Sequence, residues 1–107
     1  SLNKDNKVAY ILQVDFPYEG PWGSDMEHAM KPLADSIALE KGLIWKIWTE
    51  NQSLKEAGGI YLFTNPVDAK RYIEKHEKRL NENGIYQIRY KIFHVNQQLS
   101  QLNRAPV

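Results

Sequence analysis

The spacing of hydrophobic residues predicts four β-strands along the chain. In residues 7–16 every second residue is apolar, which is the period of a strand. Residues 43–50 and 58–63 are rich in isoleucine and aromatic side chains, and the polar segment between them suits a hairpin loop. Residues 85–96 predict a fourth and longest strand.

A first helix is predicted after the Pro- and Gly-rich loop of residues 17–23. Ser24 and Glu27 have the spacing of a capping box, which typically starts a helix. Apolar residues at helical spacing then mark its buried side: Met26, Met30, Leu33 and Ile37. Because Pro32 lacks a backbone N–H, we expect a kink or a helix in two pieces, with Gly42 as the stop.

A second helix is predicted with Asn65 in its cap region and Pro66 near the first helical position. It ends at Gly84, and its buried side carries Ala69, Ile73, His76 and Leu80. The order βαββαβ, with right-handed crossovers, predicts an α+β fold of the ferredoxin-like type. In that arrangement a four-stranded antiparallel sheet carries both helices on one face.

Large apolar residues are predicted on both faces of this sheet, although two helices cover only one face. Ile11 opposes Leu12 in the first strand, and Trp45 and Ile47 oppose Trp48 in the second. Burial of apolar surface contributes about 25 cal/mol per Å², so we expect a second copy of the chain to cover the other face. The sequence therefore predicts a two-fold homodimer whose sheets pack face to face as an α+β barrel, with the helices outside.

The length and hydrophobic content suit a single domain. A chain of 107 residues with 42% hydrophobic residues supports one compact core, so residues 1–107 are assigned to one domain. Residues 1–6 are polar and lack an initiator Met, and we expect them to be disordered, expression-derived or a processed start. The tail, residues 97–107, is either an arm that reaches across the dimer or a frayed end.

Charge and composition argue against several classes of function. The formal net charge is +1 and no basic block is present, so no nucleic-acid partner is expected. No apolar run approaches the roughly 18 to 20 residues that span a bilayer, so we expect no membrane partner and a cytoplasmic location. The sequence has no phosphate loop and no dinucleotide fingerprint, so we expect no cofactor. It also has no cysteine, and His28, His76 and His94 lack the spacing of a metal site, so we expect no metal.

Short motifs spread over nearly the whole chain carry a family resemblance. They are Gly-Pro-Trp-Gly at 20–23, Lys-Pro-Leu-Ala at 31–34, Trp-Lys-Ile-Trp-Thr-Glu at 45–50, Glu-Ala-Gly-Gly-Ile-Tyr-Leu-Phe at 56–63, Glu-Lys-His at 74–76, Val-Asn at 95–96 and Leu-Ser-Gln at 99–101. With them the chain resembles the YdhR-type proteins, a family to which a cofactor-independent monooxygenase activity is ascribed. The chain departs from the family at its polar N-terminal extension and at Trp22, where the family has Phe, which alters the mouth of the pocket.

The resemblance implies a dimeric α+β barrel similar to the antibiotic-biosynthesis monooxygenases, which oxidise aromatic polyketide-like compounds with dioxygen. Such chemistry needs an aromatic or quinol-like substrate, a base that deprotonates it and a dry pocket. His76 is the first candidate base, because its helix face points at the sheet and its ordinary pKa near 6.5 suits proton transfer. The alternative is a core histidine satisfied by a neighbour. Three roles are open for Glu50. It orients His76, it acts as the base itself, or it is a solvated residue at the end of its strand.

Aromatic residues are candidate walls for a flat ligand, with core packing as the alternative for each: Trp22, Trp45, Trp48, Tyr61, Phe63 and Phe93. Because strand side chains alternate, Trp45 and Trp48 are predicted on opposite faces, so at most one lines the pocket. Lys46 and Arg79 are candidates to hold an anionic substrate oxygen, unless they are simply solvated. The pair of glycines at 58–59 predicts a bulge at the strand start.

Three functions fit these residues. The first is a monooxygenase acting on a small aromatic molecule, with His76 as base. The second is a non-catalytic barrel that binds an apolar metabolite. The third is a haem-handling enzyme of the same barrel superfamily, with His76 as axial ligand.

Overall fold

The computed structural model describes residues 8–107, which form a four-stranded sheet and three helices. The elements are β1 (Tyr10–Pro17), α1 (Gly23–Ile37), β2 (Leu43–Asn51), β3 (Glu56–Phe63), α2 (Pro66–Glu82), β4 (Arg89–His94) and α3 (Gln97–Leu102). The predicted α+β fold is confirmed, and α3 adds a seventh element. The predictions for residues 1–6, and for a strand that begins at residue 7, fall outside the described residues.

All strand pairs are antiparallel, in the order β2-β3-β1-β4. Each long helix therefore connects two strands that have one other strand between them. Both α1 and α2 pack on the same face of the sheet, which we call the inner face. Apolar residues from both helices and both central strands meet there, including Leu12, Phe16, Ile37, Phe63, Ala69 and Ile73.

The start of α1 differs from the prediction. No side chain caps the helix locally, so the capping box of Ser24 and Glu27 is wrong. The N–H of Gly23 instead donates to Oε1 of Glu50 on β2, at 2.9 Å. The acceptor at the start of α1 therefore comes from Glu50 on β2, whereas the sequence pattern had predicted it from Ser24 and Glu27.

The rest of α1 runs through Pro32 as one helix, so of the two alternatives the helix in two pieces is wrong and the kink stays a prediction. It ends at Ile37, five residues before Gly42. Gly42 has a positive φ of 82° and lies in the turn that leads into β2, a conformation that glycine adopts without strain.

The start and buried side of α2 agree with the prediction. Asn65 accepts a hydrogen bond from the N–H of Asp68 at 2.8 Å, and Pro66 is the first helical residue. The predicted stripe of Ala69, Ile73, His76 and Leu80 is buried throughout. The helix ends at Glu82, close to the predicted stop.

Two strand predictions need correction. The last strand covers only Arg89–His94, because Ile85 and Ile88 pack into the inner-face core from an irregular segment. No bulge occurs at the glycine pair 58–59, which keeps an unbroken register with β1. The register shift lies in β2, between Leu43 and Trp45.

The face of the sheet away from α1 and α2, which we call the outer face, is apolar at one end and charged at the other. Trp45 and Leu62 pack with the C-terminal Val107, and the indole N–H of Trp45 donates to the carbonyl of Pro106 at 2.9 Å. At the opposite end Arg89 pairs with carboxylates of the neighbouring strands, Asp15 and Glu56. The tail therefore covers part of its own sheet, and its role as an arm across a dimer stays a prediction.

None of the helices in the described part of the chain combines the length and apolar character needed to cross a bilayer.

Candidate functional site

A small cavity lies between the sheet and the two long helices. We call it the inner cavity; its volume is about 30 Å³, and the residues around it include Tyr18, Met30, Lys46, Trp48, Tyr61 and His76. A cavity of about 150 Å³ binds benzene, whereas about 10 to 15 Å³ suffices for one water molecule. The inner cavity therefore has room for a small molecule such as water, and an aromatic ring requires side chains to move.

Two larger open spaces border the inner cavity. The first, the α1 cleft, has a volume of about 500 Å³ and lies beside Met26, Trp48 and Glu50. The second, the helix groove, has a volume of about 630 Å³ and lies beside Tyr18, Arg79 and Ile85. Met30 lines all three spaces. Because a methionine side chain is unbranched and flexible, Met30 is the residue whose movement would join them.

Four of the residues selected from sequence come together at the inner cavity: Lys46, Trp48, Tyr61 and His76. Lys46 and Trp48 are inner-face residues of β2, and Tyr61 on the neighbouring strand β3 is the register partner of Lys46. Trp45 points to the outer face, as the alternation of the strand predicted. Trp48 is therefore the β2 tryptophan at the cavity.

The other candidates lie around this cluster. Glu50 lines the α1 cleft, and Arg79 lines the helix groove. Phe63 is fully buried in the core and stacks on Tyr61, with ring centroids 6.2 Å apart, so it lines neither the cavity nor the two open spaces. Trp22 packs edge-on against Tyr18 at 5.0 Å, and Phe93 lies on the outer face.

Two tyrosines at the site were missed from the sequence. Tyr72 precedes Ile73 and lies three residues after Ala69, a helical spacing that could have placed it on the buried side of α2. Tyr18 lies in an irregular loop, where no periodicity reports burial. Its side chain is nevertheless 5% exposed, and its hydroxyl oxygen has no hydrogen-bond partner among the described residues.

Lys46 is the most unusual charged residue of the site. Its Nζ lies 3.4 Å from the ring centroid of Trp48 and 4.7 Å from that of Tyr61. Among residues 8–107 no carboxylate lies within 4.0 Å of it. Burial, and then the positive charge of Arg79, lower the pKa of Lys46 to about 7. The ring faces of Trp48 and Tyr61 act in the opposite direction, because a cation over an aromatic ring is stabilised as the ammonium.

His76 is held as a neutral hydrogen-bond donor. It is 3% exposed, and Nη2 of Arg79 lies 2.9 Å from its Nδ1. Because a guanidinium only donates, Nδ1 is the acceptor and the ring proton lies on Nε2. Burial, followed by the charges of Lys46 and Arg79, lowers the pKa of His76 to about 3. The imidazole is therefore a weak proton acceptor at neutral pH.

The tyrosines fix the geometry around these cations. The hydroxyls of Tyr61 and Tyr72 are 2.9 Å apart, and the ring of Tyr72 stacks on His76 with centroids 5.1 Å apart. Burial raises the pKa of Tyr61 and raises that of Tyr72 to about 12, so both hydroxyls stay protonated. Burial, and then the charge of Glu50, also raises the pKa of Tyr18.

The lowered pKa of His76 predicts a pH-dependent stability. Between about 3 and the ordinary value of 6.5, the unfolded chain binds a proton at His76 that the folded chain does not. The free energy of unfolding should therefore fall as the pH is lowered through this range, by up to about 1.4 kcal/mol per pH unit for one proton. Urea unfolding of the wild type and of His76→Gln over this range measures the effect. The variant should show the shallower dependence, and equal slopes would contradict the assignment.

Glu50 has a structural contact that explains its position. The variant Glu50→Gln keeps an oxygen acceptor for the N–H of Gly23 but removes a negative charge from the N-terminus of α1. Such a charge stabilises a helix by about 0.3 to 1 kcal/mol. We expect a loss of stability within that range, measured by urea unfolding. Equal stabilities of Glu50→Gln and the wild type would contradict this contribution of the charge.

Metal and haem sites find little support in this geometry. Over residues 8–107 no cluster of three or more His, Asp or Glu side chains is placed to hold a metal ion. His76 is buried and its Nδ1 is engaged by Arg79, so axial ligation of a haem would require the site to rearrange.

Comparison with known proteins finds one matching family. Residues 11–106 match the family model described as "Putative mono-oxygenase ydhR". A search of curated proteins finds no match.

Proposed function

Given that the chain belongs to the YdhR mono-oxygenase family, we propose that it oxidises a small aromatic hydroxyl or quinol-like compound with dioxygen and without a bound cofactor. One observation carries the proposal. Aromatic side chains and two basic side chains, Lys46 and Arg79, lie together at the inner cavity and the helix groove. Neither basic side chain has a carboxylate within 4.0 Å among residues 8–107.

The unpaired positive charge favours an anionic ligand. Burying cationic groups without counter-charges is costly, and a bound anion would remove that cost. Trp48 and Tyr61 give the inner cavity an aromatic lining, and the hydroxyl of Tyr18 lacks a partner that a ligand oxygen would supply. An aromatic hydroxyl compound in its ionised form meets all of these requirements.

An ionised aromatic substrate can react with dioxygen without another electron donor. The anion transfers electrons to dioxygen, and a carbon–oxygen bond forms to give a hydroperoxide. Cleavage of its O–O bond leaves one oxygen atom as a new carbonyl on the ring, and the other leaves as water with the two hydrogens that the substrate loses. The protein's part is to hold the anion, exclude water and supply hydrogen bonds.

The small volume of the inner cavity favours a second candidate function. With about 30 Å³ available, an aromatic ring must displace Met30 or rest in the α1 cleft. A protein that binds an aromatic metabolite without converting it would fit the same residues. Ligand-induced thermal stabilisation without product identifies that function.

Oxygen consumption tests the proposal directly. The purified protein is incubated with a panel of phenols, hydroquinones and anthrone-like compounds in an oxygen electrode, with Lys46→Met as the site control. Uptake by the wild type on at least one compound, lost in the variant, is expected. Uptake no greater than that of the variant on every compound, combined with ligand-induced stabilisation, would replace oxidation with simple binding.

We also propose that two chains pair through their outer faces, with the cytoplasm as their location. Ile47 is 52% exposed and Phe93 is 46% exposed, both on that face. A second sheet would cover them, provided that the interface exceeds about 1,000 Å². Sedimentation equilibrium should give a dimer at micromolar concentration, and Ile47→Lys should shift it towards monomer. A monomeric wild type would contradict the pairing.

A further inference from the structure

We infer that Lys46, and not His76, takes the proton from the hydroxyl of the bound aromatic compound, so that the site holds the ligand as an anion beside an ammonium. The inference rests on the proposed function for the class of ligand. It goes further by naming the proton acceptor and the ionic form that is bound.

The other candidate acceptors at the site are already engaged or unsuited. His76 accepts from Arg79 through Nδ1 and carries its proton on Nε2, so it faces a ligand as a donor. The guanidinium of Arg79 carries only hydrogen-bond donors, so it cannot take the proton. The carboxylate of Glu50 lies at the start of α1, where it accepts from Gly23.

Lys46 has what the others lack. None of the side-chain hydrogen bonds within residues 8–107 involves its Nζ, and its side chain lines the inner cavity. Its lowered pKa of about 7 makes a neutral amine available near neutral pH. The rings of Trp48 and Tyr61 would then stabilise the ammonium that forms when the proton arrives.

The surrounding charges favour the transfer. The groups that face Lys46 are Trp48 from its own strand, Tyr61 from β3, and His76 and Arg79 from α2, while Tyr18 from the loop after β1 lines the same cavity. Proton transfer turns a neutral phenol and a neutral amine into an ion pair, so the net charge of the site stays the same. Arg79 provides a second positive charge near the new anion, and Tyr18 provides a free hydroxyl.

A coloured phenol tests the inference without any turnover. 3-Nitrophenol, whose anion absorbs visible light and whose neutral form does not, is titrated under argon at a pH between the pKa of Lys46 and that of the free phenol. With the wild type, the band of the anion should appear on binding and no proton should reach the buffer, as measured by calorimetry in two buffers of different ionisation enthalpy. With His76→Gln, the band should persist.

Variants at Lys46 separate proton acceptance from charge. Lys46→Met should bind 3-nitrophenol in its neutral form. Lys46→Arg keeps the positive charge but cannot accept a proton, so it should bind the anion and release about one proton per ligand to the buffer. Lys78→Met, which removes an exposed lysine of α2, should behave like the wild type. Circular dichroism of each variant confirms that it is folded.

Each result decides a different claim. Neutral phenol bound to the wild type, an anion band that survives in Lys46→Met, or proton release equal to that of Lys46→Arg would overturn the role of Lys46 and leave the oxidation proposal standing. Ionisation as expected, with no oxygen uptake on any substrate, would support the role of Lys46 and overturn oxidation. Failure of every phenol to bind would overturn both.

Discussion

Replacing Lys46 with methionine is expected to abolish most of the turnover, lowering kcat/KM by a factor of about 10² to 10⁴, the range typical of a lost general base. Methionine has a similar length and keeps the cavity filled, but it neither accepts a proton nor carries a charge. The variant should be at least as stable as the wild type at neutral pH, since it removes a half-buried cation that lacks a carboxylate partner. Oxygen uptake and urea unfolding, measured on the same preparation, separate loss of chemistry from loss of fold.

The role of Lys46 as a base also predicts how turnover changes with pH. Below about 7 the amine of Lys46 is protonated and cannot act as a base, so turnover should be low there and rise as the pH passes about 7. Residual turnover by Lys46→Met should lack this rise. A profile governed by a group of much lower pKa, or a Lys46→Met protein as active as the wild type, would remove Lys46 from the mechanism.

Replacing Gly58 with alanine is expected to be among the most destabilising single changes in the chain, costing about 3 kcal/mol or more. An added Cβ would lie 1.9 Å from the carbonyl oxygen of Val14 and 2.8 Å from the Cα of Asp15. Both atoms belong to the backbone of the adjacent strand, so β1 and β3 would have to separate. Such a loss is a large part of the 5 to 15 kcal/mol that stabilises a typical domain. Urea unfolding measures it.

The neighbouring glycine provides a matched control. A Cβ at Gly59 would meet Cε of Lys46 at 2.8 Å and the ring of Tyr61 at 3.0 Å. Because the closer atom is near the free end of a flexible side chain, Gly59→Ala should cost less stability than Gly58→Ala. It should nevertheless impair turnover by displacing Lys46. Equal stabilities of Gly58→Ala and the wild type would show that the strands tolerate the extra atom.

Much of the fold follows from local patterns in the sequence. Alternation identified the inner-face residues of β1, and the spacing of Ala69, Ile73 and His76 gave the buried side of α2. The errors arose where a distant residue overrides a local signal. Glu50 replaces the capping box of α1 across 27 residues of sequence, and tertiary packing of Ile85 and Ile88 delays the start of β4 to Arg89. Local spacing carries no information about such contacts.

The members of the site were easier to predict than their roles. Lys46, Trp48, Tyr61 and His76 were all selected from sequence and all line the inner cavity. Their protonation depends on what surrounds them in three dimensions. Arg79 fixes the tautomer of His76, and burial with Arg79 lowers the pKa of Lys46. The unpaired hydroxyl of Tyr18 comes from a loop with no periodic pattern, so only the structure places it at the site.

Labelled dioxygen gives the most direct measurement of the central claim. A phenolic substrate that supports oxygen uptake is converted under ¹⁸O₂, and the product is analysed by mass spectrometry. Oxidation at the cationic aromatic site should place one ¹⁸O atom in each product molecule and the other in water, at a rate that Lys46→Met greatly reduces. A product with no ¹⁸O, or labelling that proceeds equally fast in Lys46→Met, would contradict it.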